Sequence, residues 1–378
     1  MQSAASITFL QLIARFSLKE LKPFYLEGFS MHMADALLSP AVGGTMWAAT
    51  AGLIAYCSHK VRTDLDTYKV PLMGVLGAFI FAAQMINFTI PGTGSSGHLG
   101  GGLLLAILLG PHAAFLTIAS VLVIQALFFA DGGLLALGCN IFNLGFFPAF
   151  IAYPFIYKIF VSNVSSRKRT SFAAIIAAVV ALQLGALGVV SETFFSGISA
   201  LPFTTFVLMM SPVHCIIGLI EGVVTASVVA FVKKAHPEIL NYSTSPCPTQ
   251  SSARAIVIGF FLAALLTGGV FSWFASNNPD GLEWSIAKIT GQKELKSSGQ
   301  IHQALATMQK TVAILPDYSF KTTAPFSIGS QPAERDRARA GISLSGILGG
   351  VCTLIITFLI GFILKKHERR KAARENAA

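Results

Sequence analysis

Apolar runs of about 20 residues recur along this chain, and each is long enough to cross a hydrocarbon core of roughly 30 Å as an α-helix. A transmembrane β-barrel would instead require alternating strands of about ten residues, which the sequence lacks. The runs predict an all-α, polytopic membrane helix bundle, with about seven helices in a core module and two in a C-terminal module. To within several residues, they lie at about 41–58, 70–90, 99–110, 112–130, 133–159, 171–191, 203–232, 254–275 and 341–364.

The composition is that of an integral membrane protein, with 53% hydrophobic and 12% charged residues and a mean hydropathy of +0.67. The net charge of +10 does not indicate a nucleic-acid partner, because the basic residues form short clusters beside the apolar runs. The five cysteines show no CxxC spacing, which argues against a disulfide framework or a zinc site. The third run is too short to span a membrane alone, so we expect it to pack inside protein.

The basic residues also predict the orientation. Lysine and arginine follow the first, fifth, seventh and ninth runs, whereas the short loops 91–98, 131–132 and 192–202 contain neither. Because cytoplasmic loops carry an excess of these residues, the pattern predicts a cell-membrane protein with its N-terminus outside and its C-terminus in the cytoplasm. His32 and His98 then share the outer face.

We divide the chain into four parts. Residues 1–30 are an N-terminal extension with no run of spanning length, either an amphipathic interfacial segment or sequence ahead of a true start at Met31; we expect them to be absent from the working protein. Residues 31–235 form the core membrane domain, and 236–253 form a polar, proline-bearing cytoplasmic linker. Residues 254–378 form a second module, whose two spans enclose a long outer loop at 276–340.

Met31 and His32 together can offer three nitrogen ligands to one metal ion. If Met31 is the first residue, these are its terminal amine, the next backbone amide nitrogen and the imidazole of His32. Such nitrogen fields suit square-planar Ni²⁺ or Cu²⁺. His98, in the glycine-rich loop 91–102, could supply a fourth nitrogen. The alternative is an ordinary interfacial dipeptide and a solvated loop histidine, but two histidines on one face without nearby lysine or arginine favour the metal site.

Further polar residues are candidates for supporting roles. Asp35 either caps the helix that follows, which we favour, or neutralises the cation and orients His32. Polar residues around the turn between the fourth and fifth helices either contact the site or brace its loops: Gln125, Asp131, Asn140 and Asn143. His214 and Glu221 lie seven residues apart, hence on one helical face. An ionisable pair inside a membrane is a functional candidate, with a structural hydrogen bond as the alternative.

The absence of catalytic motifs points away from an enzyme. The chain contains no GxxxxGK[ST] loop, so it is not itself a P-loop ATPase. It also lacks an HExxH pair and a GxSxG elbow, the motifs of two large classes of hydrolase.

The order of the motifs resembles the M-type membrane components of energy-coupling factor transporters for nickel and cobalt, over about residues 31–235. The likeness rests on Met31-His32-x-x-Asp35-x-x-Leu38-Ser39-Pro40, Ser96-Gly97-His98, the stretch from Gln125 to Gly133, Gly138-x-Asn140-x-Phe142-Asn143, and the His214 to Gly222 stretch. The sequence Pro279-Asp280-Gly281-Leu282-Glu283 resembles the signature of the N-type component, which is fused to the M-type in some members.

The resemblance implies a substrate-capture subunit in which Met31, His32 and His98 hold the ion, which is cargo rather than a cofactor. It also implies a transmembrane coupling protein and cytoplasmic ATPase subunits as partners, and it favours nickel over cobalt. Two features depart from the family pattern. Ala36 stands where glycine is usual, and residues 1–30, if retained, would leave Met31 without a terminal amine.

Two other functions compete with this one. The first is an autonomous ion-coupled secondary transporter that uses His214 and Glu221 as a proton relay. The second is a membrane enzyme that uses Asp131, His214 and Glu221, which ranks last because no motif supports a reaction.

Overall fold

The structure is a computed structural model that describes residues 31–64, 69–161, 166–235, 250–292, 295, 299–320 and 332–375. Eleven α-helices account for most of these residues, and three 3₁₀ turns lie at Asp35–Leu37, Phe271–Phe274 and Pro316–Tyr318. The expectations for residues 1–30, and for most of the 236–253 linker, lie outside the described residues.

Nine of the eleven helices follow the predicted apolar runs, and the other two lie in the predicted 276–340 loop. In chain order, the helices are α1 (Pro40–Asp64), α2 (Lys69–Gln84), α3 (Gly102–Leu109), α4 (Pro111–Phe128), α5 (Leu137–Phe160, π-helical over Phe142–Tyr157), α6 (Arg167–Ser196), α7 (Phe203–Ala235), α8 (Gln250–Gly269), α9 (Gly281–Thr290), α10 (Gln300–Val312) and α11 (Pro332–Glu375). Within the described residues, five helices have the length and composition to cross a membrane: α4, α5, α6, α7 and the Arg339–Lys366 part of α11. The predicted all-α membrane bundle is confirmed.

The second apolar run ends earlier than its hydropathy suggests. Helix α2 stops at Gln84, and the chain then forms an antiparallel hairpin of β1 (Phe88–Ile90) and β2 (Ser95–Gly97). The turn between the strands contains Gly92 and Gly94 at φ +78° and +76°, a conformation that glycine adopts without steric penalty. This hairpin brings the chain back to the bundle just before His98.

Helix α3 is short and lies inside the protein, as predicted. Every residue from Gly102 to Leu109 is buried. The surrounding helices therefore shield the polar main-chain groups at the ends of this short helix from lipid. The pyrrolidine ring of Pro111 occupies the first turn of α4, where its missing N–H removes no helical hydrogen bond.

The two long apolar helices of the second module pack along the first module. Helices α8 and α11 both lie against α2, and they approach each other closely where Gly268 meets Gly346. Small residues allow such close contact between membrane helices. The described part of the outer loop contains α9 and α10, so this loop is folded against the core rather than being a simple connection. Helix α9 packs on α7, and α10 contacts α4.

Candidate metal centre

The two histidines selected from the sequence lie beside each other, with ring centroids 5.5 Å apart. Nε2 of His98 is 3.0 Å from the carbonyl oxygen of Met31, and Nδ1 is 3.2 Å from that of Leu99. A neutral imidazole has a single N–H, so one of these ring nitrogens keeps its lone pair. Burial and the neighbouring His32 lower the pKa of His98, which favours the neutral form that binds metals.

The carboxylate of Asp131 joins the first two residues of the described chain. The main-chain N–H of Met31 donates to Oδ1 at 2.7 Å, and Nδ1 of His32 lies 3.2 Å from Oδ2. Tyr318 donates its hydroxyl to Oδ2 at 2.6 Å. Burial alone would raise the pKa of Asp131, but His32 and the Tyr318 hydroxyl outweigh burial and hold this pKa below its ordinary value. Asp131 is therefore an ionised carboxylate that orders the segment carrying His32.

The loop after α4 gives Asp131 its position. The carbonyl oxygen of Gln125 accepts hydrogen bonds from the N–H groups of Phe129 and Asp131, both at 3.1 Å, which closes the end of the helix. Gly132 follows with φ +77°. A Cβ at this position would lie 2.8 Å from Cβ of His32, so a glycine is needed for the loop to approach the His32 segment this closely.

Asn140 holds the next residue of the segment. Its Oδ1 accepts from the N–H of Met33 at 3.1 Å, and its Nδ2 donates to the Met33 carbonyl oxygen at 3.2 Å. The N–H of Gly133 donates to the same carbonyl oxygen at 3.0 Å. The main chain on both sides of His32 is thus fixed by hydrogen bonds, through Asp131 before it and Asn140 after it.

Glu221 fixes the loop that carries His98. Its two carboxylate oxygens accept from the N–H groups of Gly100 at 2.7 Å and Gly101 at 3.1 Å. On the other side, Nε2 of Gln84 donates to the Gly100 carbonyl oxygen at 2.8 Å, and Nε2 of Gln125 donates to Oε1 of Gln84 at 2.9 Å. These bonds connect α2, α4 and α7 to the two residues that follow Leu99.

His214 and Glu221, which the alternative hypothesis assigns to a proton relay, have different hydrogen-bond partners in the structure. Glu221 is bonded to the His98 loop, and Nδ1 of His214 contacts the carbonyl oxygen of Met210 at 2.9 Å, one turn back on α7. The two side chains share a helical face, as the spacing predicts, but each has a different main-chain partner. Of the two roles considered, the structural hydrogen bond fits Glu221.

The favoured role for Asp35, capping of the next helix, is also wrong. Asp35 lies in the 3₁₀ turn, where its Oδ1 accepts from the N–H of Ala136 at 2.9 Å. At the start of α1, the hydroxyl of Ser39 accepts from the N–H of Val42 instead. Burial raises the pKa of Asp35, against the lowering effect of the 134–136 main chain. The carboxylate that contacts His32 is Asp131, and Asp35 joins the 35–37 turn to the 134–136 loop.

A cavity of about 90 Å³ lies beside the two histidines. Met31, His32 and His98 form one part of its wall, and Asn140, Asn143, His214 and Asp280 contribute polar groups. Asn143 also donates its amide to Glu192 at 2.9 Å, whereas Gln125 is absent from the described lining and braces the loops. Among the described residues, no three His, Cys, Asp or Glu side chains are placed to hold an ion together. A metal site here therefore needs ligands besides these four types of side chain.

Several residues of the site could not be selected from sequence. Tyr318 contacts Asp131 and Gln84 contacts the His98 loop, but both residues belong to segments that show no motif. Glu192 lies at the end of an apolar run, where no pattern marked it. Asp280 belongs to a stretch that the sequence did single out, although nothing in it indicated the cavity. Burial raises the pKa of Asp280 to about 7.

Comparison with known proteins agrees with this arrangement. The model of the cobalt uptake substrate-specific transmembrane region matches residues 32–239, and that of the PDGLE domain matches residues 254–366. The "Probable fused nickel transport protein LarMN" of Lactiplantibacillus plantarum is 30% identical over 349 residues, which cover 89% of this chain and 98% of that protein. The "Fused nickel transport protein NikMN" of Rhodobacter capsulatus is 32% identical over 238 residues, 59% of this chain and 68% of that protein.

A crystal structure of a transition metal transporter superposes with a TM-score of 0.50 at 31% sequence identity, covering 57% of this chain and 98% of the other. The family match over residues 32–239 includes His32, the His98 loop and the Asp131 loop, which the structure brings together. The chain therefore belongs to the family of cobalt uptake substrate-specific transmembrane regions and carries a PDGLE domain in the same polypeptide.

Proposed function

We propose that this protein is the substrate-capture component of an energy-coupling factor importer for nickel, with cobalt as the alternative ion. Met31, His32 and His98 hold the ion at the outer face. The observation that carries this proposal is the convergence of Met31 and His32 with His98, from a distant loop, beside one buried carboxylate.

The ligand chemistry supports a small, nitrogen-preferring cation. Imidazole and main-chain nitrogen suit Ni²⁺, Co²⁺ and Cu²⁺, whereas Mg²⁺ and Ca²⁺ prefer oxygen. A square-planar set of four nitrogens favours Ni²⁺ over Co²⁺. The cavity of about 90 Å³ has room for an ion and a few waters but not for a large organic chelate.

Residues around the ligands orient them. Asp131 accepts from the N–H of Met31 and lies 3.2 Å from Nδ1 of His32, and Asn140 fixes the main chain that follows, so the His32 ring has a defined direction before an ion arrives. Outer partners of this kind raise the basicity and order of a metal-binding imidazole. Glu221 fixes the main chain of the His98 loop through the N–H groups of Gly100 and Gly101.

The energy for transport comes from other subunits. Cytoplasmic ATPases and a transmembrane coupling protein drive the cycle, which agrees with the absence of a phosphate-binding GxxxxGK[ST] loop from this chain. The requirement for these subunits also distinguishes the proposal from a secondary transporter, which would transport the ion alone.

Purified protein, with its N-terminus identified by mass spectrometry, should bind one Ni²⁺ per chain in isothermal titration and should not bind Mg²⁺. In proteoliposomes, Ni²⁺ uptake should require the ATPase and coupling subunits together with ATP. Uptake by this chain alone, driven by a pH gradient, would contradict the proposal and favour the ion-coupled transporter. Absence of Ni²⁺ and Co²⁺ binding would exclude the capture function itself.

The proposed orientation predicts how two single-cysteine variants react with a membrane-impermeant maleimide, in a background where the native cysteines are replaced. Ala200→Cys lies in the loop between α6 and α7, and Lys168→Cys lies in the first turn of α6; both positions are exposed. Ala200→Cys should label in intact cells, and Lys168→Cys only after permeabilisation. The opposite pattern would place the metal centre on the cytoplasmic side.

A further inference from the structure

The PDGLE stretch of the second module is joined to the loop that carries His98. The N–H of Ser96 donates to the carbonyl oxygen of Pro279 at 2.7 Å, and the Ser96 hydroxyl donates to that of Asn278 at 2.7 Å. The indole N–H of Trp284 donates to the Thr93 carbonyl oxygen at 3.0 Å, on the same hairpin. The two modules are therefore hydrogen-bonded to each other two residues before a proposed metal ligand.

This contact brings the carboxylate of Asp280 into the wall of the metal cavity. Asp280 is only 6% exposed and shares the cavity lining with Met31, His32 and His98. Its Oδ1 accepts from the N–H of Glu283 at 2.7 Å, which caps α9 and fixes the direction of the side chain.

Gly281 allows the turn before α9 to pack closely against α7. A Cβ at this position would lie 2.7 Å from Cγ1 of Val213 and 3.2 Å from Cε1 of His214, so the turn sits directly against α7 with no room for a side chain. The close fit keeps Asp280 beside the histidines rather than at the outer rim of the protein.

The charges around the cavity are unbalanced. Its described lining contains Asp280 and no lysine or arginine, and Asp131 lies directly behind His32. A buried carboxylate is costly unless a positive charge or hydrogen bonds compensate for it. A divalent cation between the two histidines would supply that charge.

We propose that Asp280 is a positioning residue of the metal centre, through which the second module neutralises the charge of the bound cation without acting as a ligand. The inference rests on the proposed function of the site. It gives the PDGLE stretch a role in ion capture: the core module supplies the nitrogen ligands, and the second module supplies a carboxylate that is ionised when the cation is bound.

The test is Asp280→Asn in the full protein, with Ni²⁺ as the probe. Asparagine caps a helix as well as aspartate does, so the fold of the turn is kept while the charge is removed. We expect roughly tenfold weaker Ni²⁺ binding, in line with the loss of other outer partners of metal sites. The visible absorption maximum of bound Ni²⁺ and the melting temperature of the metal-free protein should stay unchanged.

The matched control is Glu283→Gln, the same change of charge three residues further along, at a residue outside the described cavity lining. It should alter Ni²⁺ affinity by less than about twofold, as expected for a half-buried charge that water partly screens. Wild-type affinity in Asp280→Asn would overturn the inference and leave the capture function intact. A shifted absorption maximum would also overturn it, because Asp280 would then be a ligand. Absence of Ni²⁺ binding by the wild type would instead remove the proposed function.

Discussion

Replacing His32 and His98 together by alanine should lower the affinity for Ni²⁺ by at least about 100-fold, since the loss of even an outer partner of a metal site costs about 10- to 100-fold. The variant removes both imidazoles from the cavity wall, where their rings are 5.5 Å apart. The described residues near them offer no replacement set of three His, Cys, Asp or Glu side chains. Isothermal titration with Ni²⁺, and separately with Co²⁺, measures the effect.

The matched control is His59→Ala. His59 is an exposed histidine on α1 and is not part of the described cavity lining, so its loss should leave the affinity unchanged. Thermal melts of the metal-free proteins show whether the double variant still folds, and the single variants His32→Ala and His98→Ala separate the two contributions. Equal affinity in the wild type and a folded double variant would refute the ligand assignment.

The membrane fold could be predicted from the sequence because lipid imposes a simple rule. A chain in hydrocarbon must satisfy its main-chain polar groups internally, so long apolar runs become helices whatever their detailed packing. The rule is weaker at the ends of the runs. The run at 70–90 is continuous in hydropathy, yet the helix ends at Gln84 and residues 88–90 form a strand, because the glycine-containing turn allows pairing with residues 95–97.

The convergence of His32 and His98 was also predictable, since the positions of lysine and arginine place both on one face. The sequence did not show whether Asp35 or Asp131 contacts His32. Asp35 lies close to His32 in sequence, but the 3₁₀ turn directs it to the N–H of Ala136, and Asp131 makes the contact with His32 instead. That outcome depends on the positive φ of Gly132, which no periodicity in the sequence reveals.

Spacing likewise placed His214 and Glu221 on one face of α7 without showing their partners. A carboxylate in a membrane helix needs donors, and two main-chain N–H groups of an adjacent glycine-rich loop supply them here. Tyr318 and Asp280 were beyond prediction for a different reason: their contacts depend on how the folded outer loop packs on the core, which is a long-range property.

A form of the protein that begins at Met31 should bind Ni²⁺ at least about 100-fold more tightly than a form that keeps residues ahead of Met31. The loss of even an outer partner of a metal site lowers metal affinity about 10- to 100-fold, and the loss of a direct ligand should cost at least as much. A terminal amine, with a pKa near 8, loses its proton readily and becomes a ligand, whereas the nitrogen of an ordinary amide is a poor one. The main-chain nitrogen of Met31 is 2.7 Å from Oδ1 of Asp131. This carboxylate can also orient a terminal amine towards the two histidines.

Three forms tested by Ni²⁺ titration distinguish the effect of the amine from that of added bulk: residues 1–378, residues 31–378, and residues 31–378 with one extra residue ahead of Met31. If the amine is a ligand, the single-residue extension should bind as weakly as the full-length form, because it converts the amine to an amide while adding almost no volume. Tight binding by this third form would show that bulk alone matters. Equal affinity in all three forms would mean that the site needs no terminal amine, and that His32 and His98 recruit their remaining ligands from elsewhere in the cavity wall.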